Sequence, residues 1–318
     1  MSFRYVNPGY AEWLSSRNGA ITEQNSTYNS NNGVVMKSAD NDYVEINNIT
    51  EIYFKFNLLF LASASFRYNS YGIMFRSGNG ESASHKTGMR FIRSDQSWTY
   101  QPYVYGYYDD TAFDTGLTLP SLKSENHSIW CHIKMKTAEG AEAGLIEISI
   151  DKGKNIVQKS FDSVANFYSN KLFIHLPSDC RVSNIIISDE YIDPKEQIIS
   201  LPISSTESDM TFDSETGIYT ATAENQSLLA AVNVTSLIEE YGSDSTVTGV
   251  ARVGNPAYKT AEGLSSLTAF SKDSSGNVID YGTYALGSES SGVIADNQIL
   301  TGKTISDLQN LKFGWLAK

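Results

Sequence analysis

Hydrophobic and polar residues alternate along most of the first 195 residues of the chain. The alternation has a period of two, in runs of about five to ten residues bounded by Gly, Asn, Asp and Ser, which is typical of short antiparallel strands. Turn signals about every 8 to 15 residues favour two stacked sheets over βαβ units, which need helical patterns between their strands. The runs that predict strands are Gly33–Met36, Tyr43–Ile46, Glu51–Phe60, Tyr71–Arg76, Gly88–Arg93, Trp98–Tyr107, Ser128–Lys136, Leu145–Asp151, Lys171–Leu176 and Val182–Ser188.

The chain after residue 200 also predicts strands, here interrupted by two short helices. Ser236 with Glu239, and Thr304 with Asp307, have the spacing of helix capping boxes. The segment Asp273–Asn277 lies between two predicted strands and has the composition of a hairpin loop. The strand predictions of this part are Gly217–Thr222, Leu228–Val234, Thr246–Val253, Leu267–Lys272, Val278–Tyr284 and Lys312–Leu316.

A change of composition near residues 192–202, marked by Pro194 and Pro202, predicts a linker. The chain is therefore predicted to be all-β, with a β-sandwich domain of residues 1–195 and a smaller C-terminal β-sandwich of residues 203–318. No repeat of fixed period is visible.

Acidic residues outnumber basic ones, and they are unevenly distributed. The chain has 24 Lys and Arg against 36 Asp and Glu, a formal net charge of −12. Residues 1–200 hold 18 basic and 22 acidic side chains, and residues 201–318 hold 6 and 14. A surface of this sign repels phosphate backbones and anionic lipids, so neither nucleic acid nor a membrane is expected as a partner.

One aromatic-rich segment is the strongest candidate for ligand binding. Trp98, Tyr100, Tyr103, Tyr105 and Tyr107 lie on one predicted strand, and the last three share a face. Tyrosine rings with polar tips stack on sugars and hydrogen-bond their hydroxyl groups, or anchor protein interfaces. The alternative is that these rings pack in the core or form a cross-strand ladder, because aromatic residues favour strands for packing reasons alone.

Three acidic residues suggest a possible calcium site. Asp109, Asp110 and Asp114 could form an oxygen-rich calcium loop, but their spacing is not that of a recognised calcium motif and a solvated acidic loop is the alternative. His127 and His132 are five residues apart, which places them on opposite faces of a strand and excludes a metal pair. No other cofactor is predicted.

The sequence contains no recognised catalytic motif for a nucleophile, a zinc hydrolase or a phosphate loop. Glu147, Ser149 and Asp151 share a strand face, and the isoleucines between them explain that face as the solvated side of a half-buried strand. We therefore predict that the protein is not an enzyme. The rival hypothesis is a glycoside hydrolase or lyase, for which Glu45, Glu51, Glu147 and Asp151 are the acids on predicted strands.

The cysteines and the N-terminal sequence indicate the kind of cellular compartment expected for the protein. Cys131 and Cys180 are too few for a disulfide framework and are expected to be reduced and buried, although the sequence leaves their pairing open. The first nine residues lack the apolar core of a signal peptide, so no export by the general pathway is expected.

Several segments follow one another in the order Gly33–Met36, Asp42–Ile46, a long apolar strand, Ile129–Met135, Gly144–Asp151 with its turn Lys152–Lys154, and Ile185–Ser188. In this order they resemble the concanavalin A-like lectin/glucanase (laminin-G-like) jelly roll. The resemblance covers most of residues 20–192 and implies a jelly-roll sandwich that binds carbohydrate or protein. Members that cleave glucans carry Glu-x-Asp-x-x-Glu or Glu-x-Asp-x-Glu on one strand, and this chain has neither motif.

The opening segment Phe3–Glu12, followed by Leu14, is similar to the start of tail-associated proteins of phages and prophages of gut bacteria. The closing segment Leu311–Leu316 is similar to the last strand of such proteins. This resemblance implies a virion protein, released by lysis without a signal peptide.

The function expected from the sequence is therefore a non-catalytic virion or surface-recognition protein that binds a host-surface glycan or another virion protein. The second alternative, besides the hydrolase or lyase, is a purely structural subunit of a homo-oligomer, since trimers are common among the tail fibres that the chain resembles.

Overall fold

A computed structural model describes the fold of the chain, which divides into two compact units, residues 1–199 (unit 1) and 200–318 (unit 2). The sequence-based boundaries were placed at residues 195 and 203. The residues that the structure describes are 4–9, 14, 20–24, 34–37, 42–46, 50–60, 74–77, 87–93, 100–105, 112–114, 126–134, 136, 138–150, 152–161, 171–175, 180–199, 201–253, 264–286 and 295–318.

Unit 1 consists of antiparallel strands in two sheets. The strands are β1 (Arg4–Asn7), β2 (Ile21–Gln24), β3 (Val34–Lys37), β4 (Tyr43–Glu45), β5 (Glu51–Phe60), β6 (Met74–Ser77), β7 (Thr87–Arg93), β8 (Tyr100–Tyr105), β9 (Ala112–Asp114), β10 (Asn126–Lys134), β11 (Gly144–Ser149), β12 (Val157–Phe161), β13 (Lys171–His175) and β14 (Cys180–Ser188). One sheet has the order β12-β11-β10-β5-β14-β3-β2, with β1 also paired to β14, and the other has the order β4-β13-β6-β7-β8-β9.

Strand β5 lies at the centre of the eight-stranded sheet, between β10 and β14. Its alternating sequence gives the sheet two chemically different faces, because successive side chains of a strand point to opposite sides. The odd-numbered residues of 51–57 define what we call the outer face. The opposite, inner face is fully apolar and contributes to the core through Ile52, Phe54, Phe56 and Leu58, each at most 1% exposed.

The predicted all-β class is confirmed, and each of the ten strands predicted in the first part of the chain has a counterpart in unit 1. The bounds predicted for β5 are the observed ones. Four strands were missed, namely β1, β2, β9 and β12, each three to five residues long. Such short segments contain too few alternations to register as strands.

Unit 2 contains a five-stranded antiparallel sheet in the order β15-β18-β23-β20-β21, two separate two-stranded pairs, β16-β17 and β19-β22, and two short helices. Its elements are β15 (Ile203–Ser208), β16 (Thr211–Asp213), β17 (Ile218–Thr220), β18 (Ser227–Val232), α1 (Thr235–Tyr241), β19 (Thr246–Val253), β20 (Ser266–Asp273), β21 (Val278–Ala285), β22 (Ala295–Thr304), α2 (Ile305–Leu308) and β23 (Leu311–Ala317). Neither helix, nor any other in the described residues, is long and apolar enough to cross a membrane.

One of the two predicted capping boxes is confirmed and the other is wrong. At α2 the Thr304 hydroxyl accepts a hydrogen bond from the Asp307 backbone, and the Asp307 carboxylate accepts one from the Thr304 backbone. At α1 the N-cap residue is Val234 and makes no side-chain cap, so Ser236 lies inside the helix. The backbone N–H of Thr235 instead donates to the Asn233 side chain, which takes the place of the predicted cap.

The predicted hairpin loop between β20 and β21 is confirmed. The Asp273 carboxylate accepts hydrogen bonds from the backbone N–H groups of Ser275 and Asn277 and from the Asn277 side-chain amide. These bonds hold the pKa of Asp273 below its usual value. A short acidic side chain that bonds the following backbone is the physical reason that Asp begins such turns.

Gly314 of β23 lies where the neighbouring strand leaves no room for a side chain. It lies opposite Leu229 of β18, and a Cβ at this position would overlap the carbonyl oxygen of Leu228. We expect Gly314→Ala to force the two strands apart and to lower the free energy of unfolding by about 1–3 kcal/mol. Urea unfolding of the full chain, followed by circular dichroism, measures this change, and an unchanged unfolding midpoint would contradict it.

Candidate functional site

The register of three neighbouring strands brings polar and aromatic side chains into one row on the outer face of the eight-stranded sheet. His132 of β10 lies opposite Tyr53 of β5 on one side and opposite Glu147 of β11 on the other. Glu51 is two residues before Tyr53 on β5 and therefore shares the same face. The sheet thus assembles side chains that lie far apart in the sequence.

The imidazole of His132 lies between two carboxylates. Its Nδ1 is 2.7 Å from Oε2 of Glu147, and its Nε2 is 2.8 Å from Oε1 of Glu51. An ionised carboxylate can only accept hydrogen bonds, so both contacts are satisfied when both ring nitrogens carry a proton. The His132 side chain is 7% exposed, whereas the side chains of Glu51 and Glu147 are 39% and 23% exposed. The two carboxylates therefore reach solvent and the imidazole that holds them does not.

Each carboxylate has one oxygen available for a ligand. Oε1 of Glu51 accepts hydrogen bonds from His132 and from the phenol of Tyr53, and Oε2 of Glu147 accepts one from His132. Within the described part of the chain, Oε2 of Glu51 and Oε1 of Glu147 make no hydrogen bond. The site thus presents two acceptors that are open as far as the described residues are concerned.

Aromatic rings surround these carboxylates. The ring of Tyr53 stacks on His132 with centroids 4.1 Å apart and planes 3° from parallel. Tyr191 approaches Tyr53 edge-on at 5.7 Å, and 64% of Tyr191 is exposed. Partial burial, followed by the negative charge of Glu51, raises the pKa of Tyr53, and partial burial followed by Asp193 raises that of Tyr191. Both phenols therefore remain protonated and can donate hydrogen bonds.

Tyr191 belongs to residues 189–199, a segment that follows β14, packs on the outer face and is called here the covering segment. Ile192 is fully buried in an apolar cluster with Trp130 and Ile186. The indole Nε1 of Trp130 donates to the backbone carbonyl of Ile192 at 2.7 Å. A Cβ on Gly153 would lie 2.9 Å from the Pro194 side chain, so the turn after β11 also contacts this segment closely. These contacts fix the position of Tyr191.

Lys55 is buried on the same outer face, only 4% exposed. It lies opposite Trp130 and Ile186 in the sheet. The pKa of Lys55 is lowered to about 8, chiefly by burial; the charge of Glu196 opposes this shift, that of Lys152 adds to it, and that of Asp193 opposes it. The outer face predicted to be solvated is therefore partly an apolar interface, and Ser149 at its edge is fully buried.

No protein-family model matches the chain, and no curated protein sequence matches it. The function must therefore be argued from the chemistry of the site.

The aromatic strip predicted from the sequence lies on the other sheet of unit 1. Tyr100, Tyr103 and Tyr105 are in β8, which pairs with β7 and β9. The register aligns Tyr103 with Asp114 of β9, so that this predicted calcium ligand is adjacent to the strip. The ligand-binding role of the strip stays a prediction, and two of its residues, Trp98 and Tyr107, lie outside the described residues. Two of the three predicted calcium ligands, Asp109 and Asp110, also lie outside them.

The remaining predictions concern metal ligands and cysteines. Among the described residues, no group of three or more His, Cys, Asp or Glu side chains is placed to hold a metal ion. His127 and His132 are both in β10, five residues apart and on opposite faces, as predicted. Cys131 is free and buried, as expected, and burial raises its pKa.

Sequence reasoning assigned Glu147 to a solvated strand face and missed its link to His132 and Glu51. It also missed Tyr53, Trp130 and Tyr191 as site residues. The alternation of each strand was visible, and it places Glu51 with Tyr53 and Trp130 with His132 on single strand faces. The signal that the sequence lacked was the order and register of the strands.

Proposed function

We propose that unit 1 is a non-catalytic recognition domain that binds carbohydrate on the outer face of its eight-stranded sheet. The observation that carries this proposal is the exposed side chain of Tyr191, which lies edge-on to Tyr53 in the row that also holds Glu51 and Glu147. Aromatic rings offer apolar faces to the C–H groups of a sugar, and carboxylates accept hydrogen bonds from its hydroxyls. Both requirements of sugar binding are met within one row of side chains.

The rigidity of the site supports binding. Tyr191 is anchored through its neighbour Ile192, whose side chain is buried and whose carbonyl accepts the Trp130 hydrogen bond. The Glu51 and Glu147 carboxylates are both oriented by His132. Groups that are already held in place lose little conformational entropy when a ligand binds.

The same geometry favours binding over hydrolysis at this position. A glycoside hydrolase places the scissile bond between its two carboxyl groups. Here the imidazole of His132 fills the space between Glu51 and Glu147, and all three side chains lie on one sheet face. For this reason we favour binding of a sugar above the row over its cleavage between these two acids.

The proposed setting of this domain is a virion or other surface-recognition protein. It is supported by the resemblance of the segments Phe3–Glu12 and Leu311–Leu316 to phage and prophage tail-associated proteins. The expected targets are a host-surface glycan or another virion protein. Light scattering of the full chain measures whether it forms the homo-oligomer that such an assembly implies.

Replacing Tyr191 by alanine tests the site. We expect Tyr191→Ala to weaken binding to the sugars recognised by the wild type on a glycan array by at least about tenfold, because the exposed stacking surface is lost. Tyr241→Ala is the matched control, since Tyr241 is a partly exposed tyrosine on α1 of unit 2. Unchanged binding by Tyr191→Ala, with loss of binding when Tyr103, Tyr105 and Tyr107 are all replaced by alanine, would move the site to the other sheet.

A further inference from the structure

Among the described residues, His132 is the basic side chain that contacts both carboxylates of the proposed sugar site. Glu51 and Glu147 share a single imidazole. Lys134, which lies opposite Glu51 in the sheet, directs its Nζ to Glu142 at 2.9 Å. Lys55 is buried beside the covering segment and is not presented to a ligand above the row. Among the described residues, the charges that act on Tyr53 and Tyr191 are those of Glu51, Glu147 and Asp193, all of them negative.

The charge of the covering segment adds to this effect at the exposed aromatic ring. Glu147 and Asp193 both act on the phenol of Tyr191 and raise its pKa. Glu51 and Glu147 act in the same direction on Tyr53. The two tyrosine rings thus lie in a negative potential, with the neutral phenol as the stable form of each.

Aromatic rings in a negative potential favour one kind of ligand. The face of a tyrosine ring attracts cations through its quadrupole, and a carboxylate with an open oxygen attracts them through its charge. An anionic sugar, such as one carrying a carboxylate or sulfate, meets repulsion from Glu51, Glu147 and Asp193. The rings of Tyr53 and Tyr191 define the place of binding, and the acids select the charge of the ligand.

We infer that the site selects saccharides that carry a free, protonated amino group, such as glucosamine oligosaccharides, over their N-acetylated counterparts. This inference rests on the proposed carbohydrate-binding function and names the class of sugar. The ammonium group lies against Tyr191 and donates to the open oxygen of Glu147, which acts on the Tyr191 phenol, while the sugar ring packs on the remaining aromatic surface. N-acetylation removes the charge and two of the three ammonium donors and adds bulk at the same atom.

Calorimetric titration of the full chain with a glucosamine hexasaccharide and an N-acetylglucosamine hexasaccharide, both at about pH 6, tests the inference. We expect the free amine to bind at least about tenfold more tightly than the acetylated sugar, and the difference to shrink in high salt. Glu147→Gln keeps the shape of the side chain and removes its charge, so the preference should fall to about twofold or less. Glu139→Gln, on the exposed loop after β10, is the charge-matched control and should retain the preference.

The outcomes separate the two proposals. Equal affinity of the wild type for the two hexasaccharides, or stronger binding of the acetylated one, overturns the amine inference and leaves carbohydrate binding intact. A preference that survives in Glu147→Gln overturns the assignment of selectivity to this carboxylate. If neither hexasaccharide nor any sugar on the array binds, the proposed function itself is wrong.

Discussion

Trp130→Ala is expected to destabilise unit 1 by about 3–5 kcal/mol, the range for removing a large buried aromatic side chain. Trp130 is 3% exposed and packs with Ile186 and Ile192. Its loss opens a cavity between the sheet and the covering segment and leaves the buried carbonyl of Ile192 without its 2.7 Å donor. The effect should therefore include release of the covering segment as well as lower stability.

Two measurements check this expectation. Urea unfolding of the full chain gives the change in free energy, and tryptic cleavage after Lys195, detected by mass spectrometry, reports release of the covering segment. Trp130→Phe retains an aromatic ring and removes the donor, so a smaller loss of about 1–3 kcal/mol is expected. If Trp130→Phe is as stable as the wild type and Lys195 is cleaved no faster in either variant, the anchoring role of Trp130 is wrong.

Lys55→Met is expected to stabilise the protein at pH 7 by about 2–3 kcal/mol. The pKa of Lys55 falls from 10.5 to about 8 on folding, chiefly because burial disfavours its charged form. At about 1.4 kcal/mol per pKa unit, this difference corresponds to about 3 kcal/mol of unfavourable free energy in the folded protein. Methionine fills a similar volume without a charge to desolvate, and replacing buried charges by apolar side chains is often stabilising.

The dependence on pH gives this prediction a second test. Below about pH 8, Lys55 is protonated in both the folded and the unfolded chain, and the full unfavourable term is present. Between about 8 and 10.5 the unfolded chain binds the proton and the folded chain does not, so the stability of the wild type rises with pH relative to the variant. The advantage of Lys55→Met should therefore shrink by about 2 kcal/mol between pH 7 and about pH 9.5.

Urea unfolding of the wild type and Lys55→Met at the two pH values measures both effects. Lys154→Met is the matched control, because Lys154 is exposed on the turn before β12. Its replacement should change the unfolding free energy by no more than about 0.5 kcal/mol at either pH. A destabilised Lys55→Met would show that the folded protein stabilises the Lys55 ammonium group. An advantage that stays constant with pH would show that the lowered pKa of Lys55 is not its cause.

The hairpin loop at Asp273 and the α2 cap at Thr304 were predicted correctly because both depend on contacts within about four residues. The α1 cap at Ser236 was wrong because the side chain of Asn233, three residues earlier, provided the same kind of contact. Local chemistry is therefore visible in the sequence, but competing local partners can shift an element boundary.

The contacts of the candidate site, in contrast, join residues that are far apart in the sequence. His132 and Glu51 are 81 residues apart in the chain, and His132 and Glu147 are 15 apart. Their contacts depend on β10 lying between β5 and β11 and on a register that sets all three side chains in one row. A shift of one residue in either pairing would place these side chains on opposite faces of the sheet.

The sequence by itself determined the all-β class, the strands with regular alternation and the side chains that share a strand face, because a period of two is a local property of the backbone. The tertiary structure alone decided which strands are neighbours, that the covering segment packs on the outer face, and that Lys55 and Trp130 are buried beneath it. These outcomes depend on packing between distant segments, whose favourable free energy is spread over many contacts and leaves no periodic signal in the sequence.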